Sequence, residues 1–227
     1  MDKNLFRDFY VDFHKRRNKY GKTTGHKSSD LFKEAVGTGK KVLDLGCRDG
    51  SLTENYVQGN DVTGADVDDV ALSLCRKALG IGTIHTDLNQ SLPFDDASFD
   101  AVVAAEIIEH LIFPEQFVTE ILRILKPGGT FCGSTPNVTR LKNRLRFLFG
   151  KTPFFDDTAH LRYFSYNALE ELLKKYFSEA AITPFGGHIL GNKNFGMLKL
   201  GISVTPVTPL WLGKLFSANL FWRTAKE

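Results

Sequence analysis

The chain is poor in the residues that build disulfide frameworks and membrane spans. It has three cysteines among 227 residues, Cys47, Cys75 and Cys132, odd in number and widely spaced, with no Cys-x-x-Cys. A disulfide scaffold is excluded and a reducing compartment is the simplest reading, so the cytoplasm is expected. No run of about 18 uncharged apolar residues occurs, which predicts no transmembrane span, and the start, Met1–Asn4, carries no apolar signal core. There is no internal repeat and no low-complexity tract. Excess charge of one sign is also lacking: the net charge is +3, which rules out a polycationic tail as the main theme. Hydrophobic residues make up 42% and charged residues 24%, ordinary globular usage with enough apolar side chains for a substantial core. The one unusual count is 19 phenylalanines.

Strand-like and helix-like stretches alternate from about residue 28 to residue 186, the signature of βαβ units and a mostly parallel sheet. Strands are expected at Lys41–Leu45, Asp61–Ala65, Gly82–His85, Ala101–Ala105 and Thr130–Gly133, then at 180–186 and 217–224. Helices are expected at Asp30–Val36, Ser51–Gln58, Val70–Leu79, Pro114–Leu125, Asn137–Phe149 and from the Ser165 cap to Tyr176. In the Asn137–Phe149 helix, Val138, Leu141, Leu145 and Leu148 share one face. An amphipathic helix over Lys3–Arg17 precedes a basic run at 14–27. The reading is one domain: a helical arm at 1–38, an α/β core at 39–186 and 214–227, and an apolar insertion at 187–213.

Open α/β sheets bind ligands at the carboxyl ends of their strands. Three such ends carry matching chemistry. Asp44-Leu-Gly46-Cys-Arg-Asp-Gly50 follows the first strand, Gly64-Ala-Asp66 the second, and His85-Thr-Asp87-Leu88 the third. Glycines let a backbone approach a ligand, and an acid after the second strand suits ribose hydroxyls. The spacing is Gly-x-x-x-Gly rather than the dinucleotide Gly-x-Gly-x-x-Gly. The chain also lacks a Tyr-x-x-x-Lys pair and a phosphate-binding Gly-x-x-x-x-Gly-Lys-[Ser/Thr] loop.

Val42–Gly50, Val62–Asp66, Leu92-Pro-Phe-Asp-Asp-Ala-Ser-Phe-Asp100, Glu106-Ile-Ile-Glu-His-Leu111 and Leu125-Lys-Pro-Gly-Gly129 resemble class I S-adenosylmethionine-dependent methyltransferases of the small-molecule branch, over roughly residues 40–178. The resemblance implies a Rossmann-like, doubly wound, seven-stranded sheet with an antiparallel last strand, and S-adenosylmethionine as cofactor. It implies Asp44, Gly46 and Gly50 at the methionine part, Asp66 at the ribose, and Asp87 with Leu88 at the adenine, with Cys47, Val67 and Glu106 completing the cofactor set. Arg48 stands where the family usually has glycine, which leaves a non-catalytic cofactor-binding or partner protein as one alternative.

Strand four ends in Ala104-Ala105-Glu106, not in the Asn/Asp-Pro-Pro-Tyr/Phe of amino-methylating nucleic-acid enzymes. That argues against adenine or glutamine N-methylation, and the expected acceptor atom is oxygen. Glu106, Glu109 and His110 stand at i, i+3 and i+4, one face of a helix. With His160 they form a candidate site for Mg²⁺, Mn²⁺ or Zn²⁺. The set is similar to the Glu-x-x-Glu-His of ubiquinone-pathway O-methyltransferases and, with the distal histidine, to that of small-RNA terminal 2′-O-methyltransferases. The catalytic candidates are His110, Glu109 and His160, with His110 acting as a base or simply packing. Arg140, Lys142, Arg144, Arg146 and Lys151, with the run at 14–27, favour an anionic acceptor, small or lipid-linked; an RNA end is the alternative. The phenylalanines cluster in the arm, around 137–165 and in the tail, which predicts an apolar-walled pocket with basic edges.

Overall fold

A computed structural model of the chain describes residues 29–151, 160–187 and 208–227, the backbone of 193–195 and 198–200, and residues 9 and 12. Most of the Lys3–Arg17 helix, the basic run at 14–27 and most of the 187–213 insertion lie outside the described residues.

Five parallel strands form one half of the sheet: β1 (Lys41–Leu45), β2 (Asp61–Asp66), β3 (Gly82–His85), β4 (Phe99–Ala105) and β5 (Leu125–Pro136). They continue into β6 (Ala180–Phe185) and β9 (Asn219–Ala225), while β7 (Lys193–Phe195) and β8 (Leu198–Leu200) pair as a separate hairpin. The sheet order is β3-β2-β1-β4-β5-β9-β6, with β9 antiparallel to both neighbours. This is the Rossmann-like, doubly wound arrangement expected, its last strand reversed.

Burial explains the strands. Val42, Leu43 and Leu45 of β1 are completely buried, as a central parallel strand covered on both faces requires. One face is covered by α1 (Ser29–Val36), whose Phe32 meets Phe221 of β9 edge-on at 5.1 Å. The other is covered by α3 (Pro114–Ile124) and α5 (Tyr166–Lys174), with Phe117, Ile121, Leu169 and Leu173 in one cluster. Helix α2 (Asp69–Leu79) is capped at its start by the Asp68 carboxylate, which accepts from the Val70 and Ala71 amides. It ends at Gly80 with φ +68°. Trp222 is buried against Phe131 with ring centroids 5.6 Å apart. Gly133 makes room for it, since a Cβ there would stand 2.2 Å from Trp222 Cζ2.

Two helices differ from expectation. Ser51–Gln58 is not an α-helix; only the 3-10 turn Thr53–Asn55 forms. Thr53 and Tyr56 turn inwards to Asp44, and Asn60 donates to the Tyr56 carbonyl, so the backbone follows the side chains rather than a helical ladder. The helix expected at Asn137–Phe149 begins only at Leu141, as α4 (Leu141–Leu148), and its apolar face is outward: Leu145 and Leu148 are exposed while Asn143 is buried. The late start has a cause. The Asn137 side chain donates to the Lys214 carbonyl and Ser217 Oγ, tying β5 to α6 (Leu210–Phe216), and accepts from the Thr139 amide. Asn137 therefore orders a turn and is not the cap of α4.

Candidate active site

The strand register lines up the carboxyl ends. Leu45 of β1 lies beside Ala65, and Asp66 of β2 beside His85. The chain turns sharply after β1. Gly46 has φ +73° and Gly50 φ +83°, and a Cβ on Gly46 would stand 2.1 Å from Ile107 Cδ1. The Gly46 amide donates to the Ala65 carbonyl at 2.7 Å and the Arg48 amide to Asp66 Oδ2 at 3.0 Å, so the turn is stitched to β2. Asp66 Oδ1 also accepts from the Asp68 amide at 2.9 Å, fixing that carboxylate at the strand end. Val67 beside it is half-buried.

Asp44 lies buried beneath the turn. Its Oδ2 accepts from Thr53 Oγ1 at 2.6 Å and from the Tyr56 hydroxyl at 2.7 Å. Burial pushes its pKa up to about 6, against these two hydrogen bonds and with help from the Asp66 charge. Cys47 is buried, and a hydrogen bond with Cys75, followed by burial, holds it as a thiol. The Arg48 guanidinium turns onto Asp49, with Nε and Nη2 each 3.3 Å from Oδ1. Arg48 takes φ +50°, the conformation that glycine adopts freely.

After β3, Asp87 Oδ1 accepts from the Asn89 amide at 2.9 Å, and half-buried Leu88 packs against the core. Asn89 Oδ1 in turn accepts from the Ile112 amide at 2.8 Å, joining this loop to the segment after β4.

The segment Glu106–Leu111 departs from expectation. It is not an α-helix: Glu106 has φ +55° and only Ile108–His110 make a 3-10 turn. Glu106 therefore points elsewhere than Glu109 and His110, and its Oε1 accepts from Ser134 Oγ at 2.7 Å and Asn219 Nδ2 at 3.0 Å. The four-residue metal set reduces to three. Glu109, His110 and His160 bring one ligand atom each within 4.8 Å of one another. The Glu109 carbonyl accepts from the Leu161 and Arg162 amides, both at 2.9 Å, which brings His160 to within 4.8 Å of His110, ring centre to ring centre. Glu109 is buried, and its Oε2 accepts from Thr135 Oγ1 at 3.0 Å.

Three of the described non-glycine residues have positive φ, and two of them, Arg48 and Glu106, stand at the carboxyl ends of β1 and β4. Strain of about 1–3 kcal/mol per residue is tolerated where a site needs it. Of the supporting residues, Ser134 and Thr135 stand at the end of the fifth strand near the mouth of the site, as their place in the sequence indicates, whereas Thr53, Tyr56 and Asn219 were not legible as site residues. Thr53 and Tyr56 reach the site through the inward turn after Gly50, Ser134 and Thr135 through the pairing of β5 with β4, and Asn219 through the pairing of β9 with β5.

A sheet of this order, with three turns gathered at the carboxyl ends of β1, β2 and β3, defines a Rossmann-like fold of the methyltransferase type. Residues 43–133 match the family described as "Methyltransferase domain". The relative named "Probable S-adenosylmethionine-dependent methyltransferase" of Mycolicibacterium smegmatis is 36% identical over 138 residues, 60% of this chain and 51% of that one. A ubiquinone biosynthesis O-methyltransferase of Pasteurella multocida is 35% identical over 45% of this chain and 48% of its own. The chain thus spans about half the length of the curated relatives it matches. A SAM-dependent methyltransferase of Thermotoga maritima superposes over 99% of both chains with a TM-score of 0.67 at 17% identity, a likeness of fold. The chain is thus similar in sequence to S-adenosylmethionine-dependent methyltransferases over residues 43–133 and the stretch these relatives share, and similar in fold beyond it.

Proposed function

We propose that the chain transfers a methyl group from S-adenosylmethionine to an oxygen of an anionic acceptor, small or lipid-linked. The observation that carries the reading is the convergence of the Gly46–Gly50 turn, the fixed Asp66 carboxylate and the Glu109–His110–His160 cluster at neighbouring strand ends. The cofactor fits the residues present: Gly46 and Gly50 take the left-handed backbone of a sharp turn at the end of β1, and Asp66 offers a carboxylate fixed for ribose hydroxyls. Asp44, Gly46, Cys47 and Gly50 would hold the methionine part, Asp66 and Val67 the ribose, and Asp87 and Leu88 the adenine. Glu106 follows β4, the neighbour of β1, and would complete the cofactor set, with its carboxylate held by Ser134 and Asn219. When bound, the cofactor supplies an electrophilic sulfonium methyl.

His110 takes the acceptor proton in this reading. Glu109 and His160 hold its ring beside the acceptor, and the buried Glu109 carboxylate favours the imidazolium that results. One carboxylate and two imidazoles also suit a divalent cation of the Mn²⁺ or Zn²⁺ type. The ubiquinone-pathway names of several relatives support oxygen as the atom methylated. The Arg48–Asp49 ion pair argues against a blocked cofactor turn, because the guanidinium already has a partner.

Calorimetry with S-adenosylhomocysteine tests the cofactor reading, and binding lost in Asp66→Ala is expected. Labelled-methyl transfer to phenolic and catecholic acids, with RNA ends as the competing acceptor, tests the rest. Absence of both binding and transfer sinks the proposal. Transfer to RNA alone moves the acceptor to an RNA end.

A further inference from the structure

Helix α4 turns its apolar stripe away from the sheet. Leu148 is 76% and Phe149 75% exposed, with Leu145 and Phe147 exposed beside them. Helix α6 packs against α4 and adds exposed Leu210 and Trp211. Apolar side chains scattered singly are ordinary at a surface, but a contiguous group of this size marks an interaction face. Between the two helices lies a cleft of about 420 Å³ with an apolar floor that includes Leu141, Leu145 and Phe216, edged by Lys142, Arg146 and Lys151.

Among the described residues of the two helices the charge has one sign. From Asn137 to Lys151 there are five basic residues and no acid, and Thr208–Ala218 contributes Lys214 and again no acid. Lys142, Arg146 and Lys151 line the cleft together with Leu145 and Phe149, so these cations stand close to the apolar stripe. Exposed Leu, Phe and Trp flanked by Lys and Arg are the composition of a helix lying in a bilayer interface, where the side chains enter the acyl boundary and the cations meet lipid phosphates. A nucleic acid would find cations here too. It would have no use for three exposed leucines, since RNA is read by stacking and hydrogen bonding.

We propose that the α4–α6 face docks the protein on anionic phospholipid bilayers. Leu148, Phe149 and Trp211 enter the interface, and Lys142, Arg144 and Lys151 meet the headgroup phosphates. This goes beyond the methyl-transfer reading and needs neither cofactor nor acceptor, so the two fail separately.

The test is co-sedimentation of the whole chain with vesicles of phosphatidylglycerol and phosphatidylcholine, against phosphatidylcholine alone. Binding at least tenfold tighter to the anionic vesicles is expected, with a blue shift of Trp211 fluorescence. Lys142→Gln with Arg144→Gln should weaken it about 25-fold, taking roughly fivefold per cation. Leu148→Ser with Phe149→Ser should weaken it at least 30-fold. Both pairs are exposed, and an unchanged circular-dichroism melt confirms that the fold survives. Equal binding to both vesicle types, or variants that bind like the parent, overturns the proposal. Tighter binding of single-stranded RNA than of anionic vesicles, lost in the same cation variants, assigns the face to nucleic acid instead.

Discussion

Asp44 links folding stability to pH through a single buried carboxyl. Its pKa rises from 3.8 to about 6 on folding because burial disfavours the charge, opposed by the hydroxyls of Thr53 and Tyr56. The folded state therefore holds the proton more tightly than the unfolded chain. The stabilisation this gives is fully present below the unfolded pKa near 3.8 and is lost as pH rises through about 6. Raised by this much, the group is worth about 3 kcal/mol between the two limits. Asp44→Asn removes the titration and little of the volume. Urea unfolding of parent and variant from pH 3.5 to 7.5 separates this group from every other carboxylate. The difference in unfolding free energy, parent minus variant, is expected to fall by about 3 kcal/mol across that range. Tyr56→Phe removes the donor at 2.7 Å and should move the upper end of the fall to higher pH. A flat difference curve, or one that rises with pH, refutes the reasoning that burial outweighs the two hydroxyls.

Other substitutions report on other parts of the molecule. Gly133→Ala sets a Cβ 2.4 Å from the Ala104 carbonyl and 2.2 Å from the Trp222 ring, so β4 and β5 must part. A loss of about 3 kcal/mol is expected, read as a fall in Tm on the order of 10 °C; a Tm within 2 °C would show that the strands yield freely. His110→Ala should lower kcat by about 10²–10⁴-fold while S-adenosylhomocysteine binds as before, and loss of that binding would instead make His110 part of the cofactor site. Arg123 donates to the Leu92 and Phe94 carbonyls and to Asp96 and Glu120. Arg123→Ala should cost about 1–2 kcal/mol, discounted for partial exposure, and should open the 92–98 loop to limited proteolysis.

The strands of the parallel half were legible because parallel strands buried on both faces read as short apolar runs, as Val42, Leu43 and Leu45 do. The sharp turn after β1 was legible because Gly46 and Gly50 stand just past a buried strand, and both take positive φ. Helical spacing misled at two places. Glu106, Glu109 and His110 fit one helix face, but the left-handed Glu106 breaks the path and sends its carboxylate to Ser134 and Asn219. Leu141, Leu145 and Leu148 fit a core-facing stripe, and the stripe faces out. Periodicity shows that a helix has an apolar side; which way that side points depends on Asn137 and its partners in α6, more than 70 positions further along the chain.

The placing of β9 sets an order of assembly. The outer edge of β5 is complete by Pro136, but its partner begins only at Asn219, and β6 joins the described sheet through β9 alone. During synthesis both β5 and β6 present unpaired backbone until that last strand arrives, a template for wrong pairing with another nascent chain. The glycine in β5 that later receives Trp222 gives such an edge no side chain to guard it, so the interval between β5 and β9 is when the chain is most exposed to aggregation.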